Sequence, residues 1–293
     1  MMTLFALPKP FQGHINVIQR NAITSWTRLS PKPEIILFGD EEGTAQIAQD
    51  FRLRHVPDLL CNEYGTPLLD DLFRKAQSLA TCGILCYVNA DILLFGDFIK
   101  AVTQVARWRH RFLMVGQRMN LDLPQLQDFD SLQCEVRLRR LALDKGIYGG
   151  VGGIDYFVFT PGLYPSIPPL AVGRMAWDNW LIWSARSSKA PVIDATSVVL
   201  IIHQNHSYSH HTQGEAGAKN GEEAMKNRKL VGAKRLYTLD DATFKFTPKG
   251  IKWDVSRVVR RWLSRTTAPI RRPLGLNRST AVSLLSRIGM TRS

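Results

Sequence analysis

Three short stretches of this 293-residue chain carry side chains whose types and spacing could do chemistry. The first is Asn89-Ala90-Asp91, which follows the apolar run at 84–88. An acid that ends a buried strand projects into the crevice where open α/β sheets bind ligands, and a hard carboxylate there can hold Mg²⁺ or Mn²⁺ against a diphosphate. The same acid could instead cap the turn or the helix that begins near Phe98. The second stretch is His203-Gln204-Asn205-His206, with His210 and His211 close behind, so that four of the seven histidines crowd into nine residues. Imidazole suits borderline divalent metals, but no acid or thiol accompanies these histidines at a recognised zinc spacing, and a polar surface loop is the alternative. Because His203 ends a strand-like run, it can face the same crevice as Asp91. The third is Trp177-Asp178-Asn179-Trp180. Burial among aromatics raises a carboxyl pKa while a helix N-terminus favours the ionised form, a balance that suits a general base; a simple N-cap fits the same pattern.

These residues need a frame, and the hydrophobic pattern supplies one. Strands are expected at 3–7, 34–38, 84–88, 112–116, 154–159 and 192–203, and helices at 15–29, 42–51, 98–109, 134–143 and 177–186. A further helix is expected after Thr66 as N-cap and Pro67 as first helical residue, with Leu68, Leu69, Leu72, Phe73 and Ala76 on its apolar face. Strands and helices alternating in units of this length predict an α/β protein with a mixed, mainly parallel sheet covered on both faces. Ligands of such a sheet bind beyond the strands' C-terminal ends, here near 8–11, Asp40 and Asp91. The turn Gly149-Gly150-Val151-Gly152-Gly153 leads into a strand rather than a helix, so it does not match a dinucleotide fingerprint.

With 45% apolar and 22% charged residues, the composition excludes wholesale disorder, collagen-like repetition and a coiled-coil rod. No apolar run approaches the roughly 18 residues that span a bilayer, and residues 1–8 lack the features of a secretory signal, so a cytoplasmic protein is expected. Cys61, Cys82, Cys86 and Cys134 have no metal or redox spacing and read as free thiols. The net charge of +13 is unevenly placed: residues 249–293 hold eleven bases and one acid, Asp254, for +10, which leaves +3 on 1–248. A nearly neutral body of this kind argues against a nucleic-acid groove, and any anionic partner falls to the tail. In that tail Ile251, Val255, Val258, Val259, Trp262 and Leu263 recur at helical spacing between basic residues. Both an interfacial amphipathic helix on an anionic membrane and a packed helix with a solvated basic face fit that spacing. Residues 212–221, rich in Gly, Ala, Glu and Asn, read as a mobile loop.

The segments Pro8-Lys9-Pro10-Phe11, Gly13-His14-Ile15, Gln19-Arg20-Asn21-Ala22, Ile36-Leu37-Phe38-Gly39-Asp40, Asn62-Glu63-Tyr64-Gly65-Thr66-Pro67, Val88-Asn89-Ala90-Asp91-Ile92, Gly153-Ile154-Asp155-Tyr156-Phe157, Trp177-Asp178-Asn179-Trp180 and Ile202-His203-Gln204-Asn205-His206 together resemble glycosyltransferase-like proteins with the GT-A fold. The resemblance continues through Gly221-Glu222-Glu223-Ala224 and Asn227, and covers about 240 of the 293 residues. It implies a Rossmann-like sheet whose first half (1–110) binds a nucleotide-sugar and whose second half (111–248) presents acceptor and catalytic groups, followed by the basic helical tail at 249–293. It further implies Asp91 as the metal-binding acid, His203 as second ligand to Mn²⁺ or Mg²⁺, and Asp40, Asn89 and the Pro8, Lys9 and Phe11 segment as donor contacts. Asp178 falls where inverting members place their general base. Asn89 stands where the motif usually carries its first acid.

The implied activity is therefore metal-dependent transfer of a sugar from a nucleotide diphosphate to an unidentified acceptor. The expected location is cytoplasmic, with peripheral attachment to the cytoplasmic face of an anionic membrane through the tail; the alternative function is a non-catalytic nucleotide-binding or membrane-associated protein that keeps the fold. Sugar-nucleotide synthesis is disfavoured because the Gly-rich, basic N-terminal loop it needs is absent. A metal phosphoesterase would need more converging acids.

Overall fold

The computed structural model describes residues 1–131, 133–206, 217 and 220–254, and Met1–Trp253 form one compact unit. The amphipathic stripe expected beyond Asp254, and most of the loop expected at 212–221, lie outside the described residues.

Four continuous apolar runs become the centre of a nine-stranded sheet, as expected when both faces are covered. They are β1 (Thr3–Ala6), β2 (Glu34–Phe38), β4 (Leu85–Val88) and β9 (Tyr156–Phe159), buried along almost their whole length. With β3 (Arg54–Val56), β6 (Leu113–Val115), β10 (Val192–Asp194), β12 (Phe244–Thr247) and β13 (Gly250–Trp253), the strand order is β13-β12-β10-β6-β9-β4-β1-β2-β3. Pairing is parallel except where β9 inserts between β4 and β6 and where β13 closes the edge against β12. The chain leaves β1 toward β2 on one side and returns to β4 on the other, so the crevice of this switch point opens beyond the C-terminal ends of β1 and β4. Those ends carry Lys9 and Asp91.

Period-2 alternation divides the core between the two faces of the sheet. Leu4, Cys86 and Val88 pack with Trp26 of α1 (Gly13–Thr27), Ile47 of α2 (Thr44–Asp50), Phe98 of α4 (Gly96–Trp108) and Leu138 of α5 (Cys134–Lys145). Phe5, Tyr87, Phe157 and Phe159 pack on the opposite face with Phe73 of α3 (Leu69–Leu79) and Trp177 and Leu181 of α6 (Trp177–Ser187). Phe73 lies at the centre of an aromatic cluster, stacked on Phe159 at 5.4 Å and edge-on to Phe5 at 5.2 Å. Val231, which ends α7 (Glu222–Val231), joins this second core.

Three expectations need correction. The run at 192–203 is two strands, because Asp194 Oδ1 accepts the backbone N–H and the hydroxyl of Thr196 and turns the chain out of the sheet. The second piece, β11 (Ile202–Gln204), belongs to a separate sheet of order β5-β11-β7-β8, with β5 (Ile92–Leu93), β7 (Met119–Leu121) and β8 (Ile147–Tyr148). Thr66 and Pro67 do not open a helix: the Asn62 side chain accepts the N–H groups of Tyr64 and Thr66, Pro67 bridges to Cys61, and α3 starts at Leu69. Finally, the compact unit extends past 248 to Trp253, because Ile251 and Lys252 form a hairpin strand opposite Phe246 and Lys245. No helix among the described residues is long and apolar enough to cross a membrane.

Candidate active site

A cavity of about 440 Å³ opens at the switch point, lined by residues from the ends of β1, β4 and β9, the start of α6 and the end of β11. Side-chain amides hold its floor. Gln19, buried on α1, donates Nε2–H to the Lys9 carbonyl at 2.8 Å and accepts the Lys9 N–H at 2.7 Å, fixing the strand exit. Gln204, fully buried, donates to the carbonyls of Ile18 and Asp91 and accepts from Asn21 Nδ2 at 2.9 Å. A buried amide needs partners on every side, so these two tie α1, β1, the turn after β4 and β11 into one rigid unit.

Within that unit Asp91, His203 and His206 converge, each offering a ligand atom within 4.8 Å of the others. His203 arrives through strand pairing: β11 runs antiparallel to β5 with His203 opposite Ile92, one residue beyond Asp91. Its Nε2 lies 3.8 Å from Asp91 Oδ2, and His206 Nε2 lies 3.1 Å from the same oxygen. Burial would raise the Asp91 carboxyl, but His203, His206 and Lys9 outweigh it and hold the group well below the usual carboxylate range. Burial lowers the His203 imidazole against the pull of Asp91, favouring the neutral ring that can donate a lone pair. Asp91 Oδ1 and His203 Nδ1 are both buried without a hydrogen-bond partner. One carboxylate with two imidazoles, and a carboxylate oxygen left unsatisfied, could hold a divalent metal ion, and the two imidazoles suit a transition metal such as Mn²⁺ better than Mg²⁺.

Asn89 does not enter this cluster. Its Nδ2 donates to Asp155 Oδ1 at 2.6 Å, and its backbone N–H to the Asp155 carbonyl at 3.0 Å. Asp155 in turn receives Arg118 Nη1 at 3.1 and 3.0 Å through both oxygens. Asp178 lies in the first turn of α6, after Ala176, whose φ of 88° puts a non-glycine residue in the left-handed region. Burial in the cavity wall is the main influence on its carboxyl. With Asp155 adding repulsion, it outweighs the N–H groups of Asp178 and Asn179 and pushes the pKa up to about 6. Lys9 also lines the cavity; burial lowers its pKa and the charges of Asp91 and Asp155 oppose that.

Of the residues singled out in the sequence, Pro8, Lys9, Asn89, Asp91, Asp178 and His203 all line this cavity, whereas Asp40 and Phe11 are not among its lining residues. Asp40 is exposed, its neighbour Glu41 takes a place in the wall, and Phe11 packs against Gly43. Sequence reasoning did not assign His206, Arg118 or Asp155 to the site. His206 was visible as the next histidine after His203, and Asp155 as the acid between a glycine turn and a buried strand. Arg118 had no signal, because only the pairing of β6, β9 and β4 brings it there. The Asn62–Thr66 turn borders the cavity through Gly65, Thr66 and Pro67 and is held by Glu223 of α7, which accepts from Asn62 Nδ2 at 2.8 Å and from Arg174 at 2.7 Å.

No protein-family model and no curated protein sequence matches this chain. Among solved structures it is similar to S. aureus TarS 1–349 in complex with UDP-GlcNAc, at 13% identity and a TM-score of 0.46. That match covers 70% of this chain and 60% of the TarS chain, so this protein spans less than two thirds of that relative. It is also similar to glucosyl-3-phosphoglycerate synthase from Mycobacterium tuberculosis in complex with Mg²⁺ and UDP, at 11% identity, 80% and 79% coverage and a TM-score of 0.47. A mycobacterial protein aligns at 12% identity with 80% and 74% coverage and a TM-score of 0.48.

Proposed function

We propose that this protein is a metal-dependent, inverting glycosyltransferase that uses a nucleotide-diphosphate sugar. The observation that carries the proposal is the pairing, in one cavity at the sheet's switch point, of the Asp91–His203–His206 donor set with a carboxyl, Asp178, raised to about 6. Sugar transfer needs both: positive charge where the diphosphate departs and a base where the acceptor hydroxyl attacks. A divalent cation held by Asp91, His203 and His206 would compensate the diphosphate's growing charge. The other roles belong to the chain itself. Lys9 and Arg118 face the same cavity as cations, and Asp155 fixes the orientation of Arg118. Asp178 takes the proton of the acceptor hydroxyl as that oxygen bonds to the anomeric carbon. The bond from that carbon to the diphosphate breaks on the opposite face, and the nucleoside diphosphate leaves with the bonding pair. Pro67, Val172, Met175 and Trp177 add apolar surface to the same cavity wall. The basic tail beyond Asp254 is proposed to attach the protein to an anionic membrane surface.

A second reading, a nucleotide-binding protein without turnover, is favoured by Asn89, which spends its amide on Asp155 and adds no charge to the metal position. The deciding experiment is a thermal-shift series with UDP, GDP and their sugars, with and without Mn²⁺, followed by turnover assays. Ligand at about 100 times its Kd stabilises the native state by about 2.7 kcal/mol, so the right nucleotide stands out. Mn²⁺ should enlarge that shift and Asp91→Ala should abolish the enlargement. Undiminished metal dependence in Asp91→Ala refutes the assignment, and metal-dependent binding with no transfer across donors and acceptors supports the second reading.

A further inference from the structure

Asn227, on α7, does not line the cavity, yet it is 1% exposed and spends its side-chain amide on the cavity wall. Its Oδ1 accepts the Ala171 N–H at 2.9 Å, and its Nδ2 donates to the carbonyls of Ala171 at 3.0 Å and Met175 at 3.2 Å. A buried amide that gives its acceptor and both donors to one stretch of main chain fixes that stretch, because each group left unpaired would bear its full desolvation cost. The stretch supplies Val172, Gly173, Arg174 and Met175 to the wall and leads straight into α6. On its other side the chain before α3 holds it: the Val172 N–H donates to the Pro67 carbonyl at 3.0 Å and the Leu69 N–H to the Leu170 carbonyl at 2.8 Å.

Only Ala176 and Trp177, both buried, stand between Met175 and Asp178. Ala176 has a φ of 88°, a conformation that a residue with a β-carbon keeps only where its surroundings impose it. Asn227 grips the carbonyl immediately before that residue. Immediately after Asp178, Asn179 Nδ2 donates to the Tyr237 carbonyl at 2.7 Å. Two anchors from 227–237 therefore bracket the carboxyl-bearing turn, whereas Asp91 and β11 are tied separately through Gln204.

We propose that Asn227 is a positioning residue for Asp178: through Met175 and Ala176 it sets the first turn of α6 so that the carboxyl stays in the cavity wall. The role rests on the reading of Asp178 as general base and deepens it. Without the amide, the carbonyls of Ala171 and Met175 must find water, and 171–176 relaxes toward solvent. The Asp178 carboxyl then gains solvation and ionises more easily, since burial is the main influence that raises it, while the charges of Asp155 and Arg118 that act on it remain. The Asp91–His203–His206 cluster keeps its own supports, so the loss falls on the proton transfer and not on nucleotide or metal binding.

The test is an NMR titration of the Asp178 carboxyl carbon in the full-length protein, comparing wild type with Asn227→Leu, which keeps the volume and removes every hydrogen bond. Val105→Ala, a truncation in the core on the other face of the sheet, controls for a general loss of stability. Asp178 should titrate near 6 in wild type and in Val105→Ala, and below about 5 in Asn227→Leu. In turnover assays kcat should fall about tenfold or more in Asn227→Leu, with the Kd for UDP and for Mn²⁺ unchanged. Thermal unfolding establishes that each variant is folded, and Asn227→Ser, too short to span both carbonyls, replaces Asn227→Leu if that variant is not. An Asp178 titration unmoved by the Asn227 substitution, or moved as far by Val105→Ala, overturns the positioning role. A wild-type carboxyl that titrates near 4 refutes the raised base, and the Asn227 proposal falls with it. A titration that shifts as expected in a protein with no turnover refutes the transferase while the hold of Asn227 on Asp178 stands.

Discussion

Replacing Asp178 with Asn should make the protein more stable at neutral and alkaline pH while nearly abolishing its turnover. A carboxyl moved from 3.8 to about 6 by burial carries an ionised form that costs the fold up to about 3 kcal/mol, at about 1.4 kcal/mol per pKa unit. The folded state then holds its proton over a range where the unfolded chain has already lost it, so stability falls as pH rises through the window from about 4 to about 6. Below that window Asp178 is neutral in both states and the cost vanishes. Asn keeps the shape without the charge, so its advantage should be nearly nil at about pH 4 and grow toward 3 kcal/mol at about pH 8. A carboxylate serving only as a helix cap has the opposite sign: at the N-terminus of α6 it would stabilise by about 0.3–1 kcal/mol, and Asn would lower stability at high pH. Urea denaturation of wild type and Asp178→Asn at both pH values separates the two by sign alone. Equal stability at both, or a loss confined to high pH, refutes the buried-base assignment. The kinetic counterpart is a loss of about 10² to 10⁴ in kcat with nucleotide affinity retained, together with loss of the activity limb that rises through about pH 6 in the wild type.

Phe73→Ala, at a fully buried residue packed against Phe5, Tyr87, Phe159 and Tyr164, should cost about 3–5 kcal/mol by denaturant titration; a loss below about 1 kcal/mol would mean the aromatic cluster collapses around the gap. A chain ending at Asp254 should unfold cooperatively and bind nucleotide as the full chain does, yet fail to sediment with phosphatidylserine vesicles. Retained vesicle binding would move the membrane contact onto the body, and loss of folding would make the tail part of the core.

The central sheet was legible because its strands are short, continuous runs of β-branched and aromatic residues, and because the helices between them keep helical periodicity. What escaped was decided by partners far away in sequence. β3, β5, β7 and β8 have two or three residues each and exist only through pairing, so no local pattern announces them. The run at 192–203 looked like one strand because hydrophobicity does not register a side-chain turn such as that of Asp194 on Thr196. In the candidate site the acid at a strand end and the acid at a helix start were visible, since position along an element predicts where each must point. Arg118 could not be found this way: it reaches Asp155 across 37 residues, and its role follows from the insertion of β9 between β4 and β6.

The charges of the cavity wall bear on the proposed metal dependence. Lys9, Arg118 and Arg174 face Glu41, Asp91, Asp155 and Asp178, three bases against four acids. Two of the bases are already engaged, Arg118 by Asp155 and Arg174 by Glu223 from outside the wall. Among the Lys, Arg, Asp and Glu side chains the wall therefore has no positive surplus, and under the proposed function an anionic donor arriving alone would face net repulsion once Asp178 is ionised. Asn89 is uncharged, so Asp91 is the single carboxylate among the three residues that could hold a cation. Under the proposed function, cation and nucleotide should strengthen each other's binding, because each supplies the charge that the other lacks.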